Sequence, residues 1–116
     1  MSEYAVGRLQ LSPRYLAVLR ELLQRHLPAV EVRAYGSRVT GKGHEASDLD
    51  LVVRNPHDLE RETAGLPALR AALSESNLPL LVDIVDWARI PESFRQEIEA
   101  AYVVVQSEEE NRANNG

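Results

Sequence analysis

The chain contains no cysteine. Disulfides, cysteine-ligated zinc, iron–sulfur clusters and a thiol nucleophile are therefore excluded. No apolar run approaches the roughly 18 residues needed to cross a bilayer. The first eleven residues hold no basic segment followed by an apolar stretch, so a secretory signal is not expected. Basic residues are outnumbered 13 to 18, which leaves a formal net charge of −5. A broad electropositive face for gripping nucleic acid is not expected at that balance, although a small local patch is compatible with it. Length is short as well. At 116 residues the chain can bury one modest core but cannot form two lobes, against a usual roughly 100–200 residues per domain. These absences together suit a cytoplasmic protein, which is the expectation.

Hydrophobic residues make up 44% and charged residues 27% of the chain, the balance of an ordinary globular domain. No internal repeat is visible. The expected division is one domain over residues 1–106 and a fraying acidic tail over 107–116. Ser12 suits a helix N-cap and Pro13 a first helical position. Tyr15, Leu16, Leu19, Leu22, Leu23 and Leu27 then recur at helical spacing, and Pro28 ends the run. Residues 30–35 alternate apolar and polar and predict a strand. Residues 48–53 predict a second strand, residues 67–74 a helix with Leu66, Leu69 and Leu73 inward, and residues 80–85 a third strand. A short turn or helix is expected over 58–65. Pro91 opens another helix, with Ile90, Phe94 and Ile98 four apart, and residues 102–105 form a last strand. This order implies an α/β (α+β) domain, a small mixed sheet of about four strands with helices packed on it.

The information about chemistry is concentrated between Tyr35 and Leu51. Asp48 and Asp50 are two apart in a strand and share a face, with Leu49, Leu51 and Val53 on the buried side. Two neighbouring acids repel, and a divalent cation with a preference for oxygen ligands, Mg²⁺ or Mn²⁺, would relieve that repulsion. The plainer reading is a solvated strand end. Gly36-Ser37 follows a strand directly. A glycine there lets the backbone approach a ligand, and N–H groups opening a short helix would face an anion. A plain turn explains the pair equally well when it is taken alone. Asp83 interrupts the apolar strand 80–85, where an ionised acid without a partner is costly. Asp86, three residues on, points the other way and caps the next turn. Of these two acids, Asp83 is the expected member of the site.

Two rival motifs fail. Gly36, Gly41 and Lys42 fit the start of a P-loop, but Gly43 stands where Ser or Thr should hold Mg²⁺, and no long helix follows. Ser37, His44 and Asp48 could form a hydrolytic set, but no G-x-S-x-G elbow surrounds Ser37. His26, His44 and His57 are scattered and make no zinc site without cysteine. Trp87, the single tryptophan, is expected in the core.

Gly36-Ser37, a ten-residue gap, Asp48-x-Asp50 and an acid on a later strand together resemble the nucleotidyltransferase superfamily that includes DNA polymerase beta. The nearer likeness is to its minimal nucleotidyltransferase (MNT) members, which include antitoxins and the catalytic subunits of two-component nucleotidyltransferases. It covers residues 16–105, including Val82-Asp83-Ile84-Val85-Asp86-Trp87. The resemblance implies that Asp48, Asp50 and Asp83 bind two Mg²⁺ ions and act as the catalytic residues. It implies that Gly36, Ser37 and Arg38 hold the phosphates of ATP or another nucleoside triphosphate. It also implies transfer of a nucleoside monophosphate, AMP from ATP, onto a hydroxyl, with pyrophosphate released.

Many minimal members carry arginines where this chain has Thr40 and His44. Arg38 and Lys42 are the residues that could compensate. The family further implies a helical partner encoded nearby, of HEPN or substrate-binding type. In the toxin–antitoxin systems of this kind, AMP is added to a tyrosine of a toxin ribonuclease. Two other readings are a partner-binding antitoxin that keeps a relic nucleotide site, and an antibiotic nucleotidyltransferase working alone.

Overall fold

The computed structural model describes residues 2–107. The elements are β1 (Glu3–Tyr4), a 3₁₀ turn (Val6–Arg8), α1 (Pro13–His26), β2 (Glu31–Tyr35), α2 (Ser37–Thr40) and β3 (Leu49–Arg54). They continue with α3 (Leu66–Glu75), β4 (Val82–Asp86), a second 3₁₀ turn (Trp87–Arg89), α4 (Glu92–Ala100) and β5 (Tyr102–Gln106). The tail expected from 107 onward lies outside the described residues except for Ser107.

The α1 start forms as its sequence dictates: the Ser12 hydroxyl accepts from the Tyr15 N–H, and Pro13 occupies the first turn. The strands assemble in the order β1-β5-β2-β3-β4. The β1–β5 and β3–β4 pairs are parallel, and the β5–β2 and β2–β3 pairs antiparallel. The sheet is thus mixed, with a two-residue fifth strand at one edge. Residues 58–65 make turns and no helix: Asp58 N–H donates to Asn55 and Arg61 N–H to Asp58. The third predicted strand begins at Val82 instead of Leu80. Pro79 has no N–H to give a ladder, and the first link to β3 is the Leu49 N–H on the Leu81 carbonyl.

Alternation divides the sheet into two packed faces. One carries Val32, Ala34, Leu49, Leu51, Val53, Ile84, Val103 and Val105 against Leu19 and Leu23 of α1 and Leu66, Leu69 and Leu73 of α3. Each fully buried leucine of this set contributes roughly 1.5–3 kcal/mol. The other face is smaller. Val52, Trp87, Ile98 and Tyr102 form its centre, with Tyr35, Val85, Phe94 and Val104 around them. Trp87 is buried there, as expected.

Two arginines also lie on this second face. Arg33 Nε and Arg54 Nη1 both donate to Glu31 Oε1, at 2.7 and 2.6 Å. Arg33 Nη1 and Arg54 Nε are buried without an acceptor. The ring faces of Tyr102, 4.0 Å from the Arg33 guanidinium, and Trp87, 4.7 Å from that of Arg54, supply attraction in its place.

At the far end of the sheet, the buried Gln106 Nε2 donates to the carbonyls of Leu27 and Val30, at 2.7 and 3.0 Å. It ties the end of α1 and the entry to β2 onto β5. Gln106→Leu leaves both carbonyls without that donor and should lower unfolding free energy by about 1–3 kcal/mol in urea denaturation.

Candidate active site

The β2–β3–β4 register builds one row of polar side chains. Tyr35 pairs with Asp50, and Asp50 pairs with Asp83. Because residues i and i+2 share a face, Asp50 turns away from the Leu49–Leu51–Val53 side. Asp48 sits in the loop end immediately before β3, not inside the strand, and is exposed. Asp83 is exposed too, on the edge strand. The burial expected of an acid flanked by Val82 and Ile84 is therefore not observed. The row is open because α4 covers the second face only as far as Tyr35, whose ring meets Phe94 edge-on with centroids 5.6 Å apart.

Electrostatics follow from this arrangement. Partial burial, then the negative charges of Asp83 and Asp48, push the Asp50 carboxyl above its usual range. Burial, then Asp50 and Asp83, push the Tyr35 hydroxyl up to about 12, so it stays protonated beside the acids.

Gly36 closes the near side. Its backbone has φ +80° and ψ −158°, a conformation open to glycine. A Cβ there would lie 2.5 Å from Asp50 Oδ2. The absence of a side chain at 36 thus makes the space that the Asp50 carboxylate fills. Ser37 then opens α2; the Val39 and Thr40 N–H groups both donate to the Gly36 carbonyl, so only those of Ser37 and Arg38 lie at its opening.

Asp86 does not join the row. It is buried, its Oδ2 accepts from Thr63 N–H at 2.7 Å and its Oδ1 from Ala88 N–H, so it caps the turn that follows β4. Arg38 departs from its expected nucleotide-binding position. It is buried, and its guanidinium donates to the carbonyls of Ser47, Gln10 and Glu45. Those bonds commit the fork that was expected to meet phosphates. Lys42, His44 and Thr40 are exposed. His44 Nδ1 accepts from the Ala46 N–H within its own loop, which gives the Ser37–His44–Asp48 set no support. The helix after Gly36 stops at Thr40, far short of a P-loop helix. Tyr35 and Gln10 were not singled out from sequence. The alternation Glu31, Arg33, Tyr35 could have put Tyr35 on the polar face, whereas nothing local marks Gln10.

The donor set suits a hard divalent cation: carboxylate oxygens only, with mutual repulsion that such an ion relieves. The Gly36 cradle holds Asp50 beside the opening of α2, where its carboxylate could contribute oxygen ligands to such an ion. Among the described residues no three His, Cys, Asp or Glu side chains are already gathered tightly enough to hold a metal ion. Asp48, Asp50 and Asp83 are the residues that would hold such an ion.

The nucleotidyltransferase domain model matches residues 16–114. A Haemophilus influenzae protein, "Probable protein adenylyltransferase MntA", is 40% identical over 103 residues, covering 89% of each chain. The chain belongs to the nucleotidyltransferase domain family. As a nucleotidyltransferase it is a transferase, and its fold matches a solved structure. That structure, of a toxin–antitoxin with AMP-PNP, has a TM-score of 0.62 at 20% identity, covering 88% of this chain and 80% of the other. No helix among the described residues is long and apolar enough to cross a membrane.

Two substitutions test the geometry of this acidic row. Gly36→Ala should lower stability by about 1–3 kcal/mol through backbone strain and displace Asp50, read by urea denaturation and by loss of nucleotide transfer. Asp50→Asn should raise the urea midpoint at neutral pH in EDTA. The raised carboxyl of Asp50 contributes its stability below the ordinary carboxylate pKa and loses it as pH rises through the raised folded value. The gain in the variant should therefore disappear on acidification.

Proposed function

We propose that this nucleotidyltransferase is a Mg²⁺-dependent protein adenylyltransferase. It would move AMP from ATP onto a hydroxyl of a helical, HEPN-type partner encoded nearby, as the antitoxin of a cytoplasmic toxin–antitoxin pair. The observation that carries the reading is the in-register Asp50–Asp83 pair, with Asp48 two residues before it and Gly36 packed against Asp50. The 40% identical relative named as a protein adenylyltransferase supports a protein acceptor and AMP as the group moved. The toxin–antitoxin neighbour, described with AMP-PNP, supports the partner and the nucleotide.

Asp48, Asp50 and Asp83 would hold the divalent ion, which when bound neutralises phosphate charge and makes the acceptor hydroxyl more acidic. The chain's own part is largely positioning. Ser37 Oγ and the N–H groups opening α2 bind the β- and γ-phosphates. Tyr35, protonated at neutral pH, adds no negative charge to the acidic row. The acceptor oxygen attacks the α-phosphorus, the bond from that phosphorus to the β-phosphate bridge breaks, and pyrophosphate leaves. Asp83, exposed on the edge strand, is the carboxylate that takes the hydroxyl proton. No covalent intermediate on the protein is needed. The domain boundary proposed is residue 106, with the acidic segment beyond it outside the catalytic unit.

The test uses ATP labelled on the α-phosphate, Mg²⁺ and the partner protein. The wild-type chain should label the partner and release pyrophosphate. Asp48→Asn plus Asp50→Asn should lower the rate by at least about a hundredfold, and EDTA should abolish it. Label transfer that survives the double substitution would overturn the catalytic assignment. A partner that is bound and silenced without label would favour the relic-site antitoxin.

A further inference from the structure

The two halves of the nucleotide motif, Gly36-Ser37 and Asp48-x-Asp50, are separated by a loop without regular structure between α2 and β3. Its fixation is not left to the loop itself. Arg38, in the first turn of α2, sends Nε to the Ser47 carbonyl at 2.9 Å and Nη2 to the Glu45 carbonyl at 3.0 Å. Its Nη1 donates to the Gln10 carbonyl. Gln10 returns two bonds: its N–H donates to the Arg38 carbonyl at 2.7 Å, and its Oε1 accepts from the Gly43 N–H at 3.0 Å. Gly43 must be small to allow this. A Cβ on it would meet Gln10 Oε1 at 2.9 Å and the Arg38 Cα at 3.1 Å.

The residue after Ser47 is Asp48. The loop is therefore fastened at Gly43, Glu45 and Ser47, the last of these one peptide from the exposed carboxylate. The segment that supplies Gln10 is itself anchored. Ser2 N–H donates to the Glu99 carbonyl, Tyr102 N–H donates to the Ser2 carbonyl, β1 pairs with β5, and Leu9 is buried in the main core.

We infer that Gln10 and Arg38 are positioning residues that set the placement of Asp48 through the loop between the two halves of the motif. The N-terminal segment is then part of the active-site scaffold. Arg38 serves both halves, since its backbone opens the phosphate-facing turn and its side chain fixes the acid-bearing loop. Three carbonyls converging on one guanidinium require its planar fork, which a lysine point charge cannot reproduce. Asp48 itself is exposed and precedes the strand ladder; Ser47 before it also bonds to His44 within the loop, and the Leu49 N–H after it reaches the Leu81 carbonyl, so the clamp acts on the part of the loop that these local bonds do not tie to the rest of the fold.

This inference rests on the nucleotidyltransferase reading of Asp48. Its test therefore has one arm that needs no activity. Gln10 is exposed, so changes there spare the core. In Gln10→Leu, hydrogen exchange of the full chain should accelerate at the Gly43 and Ser47 amides by about tenfold or more, with the thermal midpoint little changed. In the AMP-transfer assay kcat should fall about ten- to a hundredfold, while KM for Mg·ATP stays within about threefold. Gln10→Glu keeps the acceptor oxygen for Gly43 and should restore both exchange protection and kcat.

Unchanged exchange at Gly43 and Ser47 in Gln10→Leu would overturn the clamp. Faster exchange with wild-type kcat would overturn its role in positioning Asp48, as would a Gln10→Glu variant as impaired as Gln10→Leu. If the wild-type chain itself transfers no AMP, the functional reading fails, and the exchange arm still decides whether Gln10 holds the loop.

Discussion

The structure is organised around a repulsion that the fold tolerates. Asp50 and Asp83 face each other across the parallel β3–β4 ladder, with Asp48 close enough to push the Asp50 carboxyl further up. Like charges directly opposite in a sheet are destabilising. The pairing is held because the other sides of the same strands bury Leu49, Leu51, Val53 and Ile84 in the main core. A one-residue slip of β3 would relieve the acids but turn three core residues out to solvent. Hydrophobic register thus enforces an electrostatic arrangement that a bound cation would convert from a cost into an affinity.

The same row explains why neighbouring residues are as they are. Gly36 has no side chain where Asp50 needs room. Tyr35, across from Asp50 and one strand further from Asp83, keeps its proton because burial and their charge push its hydroxyl up to about 12. The second face closes over Trp87, Tyr102 and Ile98 but leaves the end of the row uncovered. Asp86 stays out of it, spent on the Thr63 and Ala88 N–H groups.

Much of this was legible in the sequence. Ser12-Pro13 and the leucine spacing located α1, because capping and amphipathicity are local signals. Alternation located the strands to within a residue or two, and spacing singled out the acidic pair and the glycine before Ser37. What was not legible depends on groups distant in the chain. The resemblance implied Arg38 as a phosphate ligand, yet carbonyls of residues 10, 45 and 47 accept from its guanidinium. Gln10 carries no pattern at all. Asp83 read as a buried acid because Val82 and Ile84 flank it, but an edge strand exposes alternate residues whatever their neighbours are. The strand β1 is two residues long, too short for any periodicity to announce it.

The most direct test of the central claim, that the Asp50–Asp83 row with Asp48 forms a cation-dependent triphosphate site, is calorimetric titration of the purified chain with AMP-PNP, with and without Mg²⁺. The account predicts one site per chain that requires Mg²⁺ and is weakened at least about tenfold by Asp50→Asn and by Asp83→Asn, since each removes a ligand charge. Equal binding in EDTA, or binding untouched by both substitutions, would contradict it.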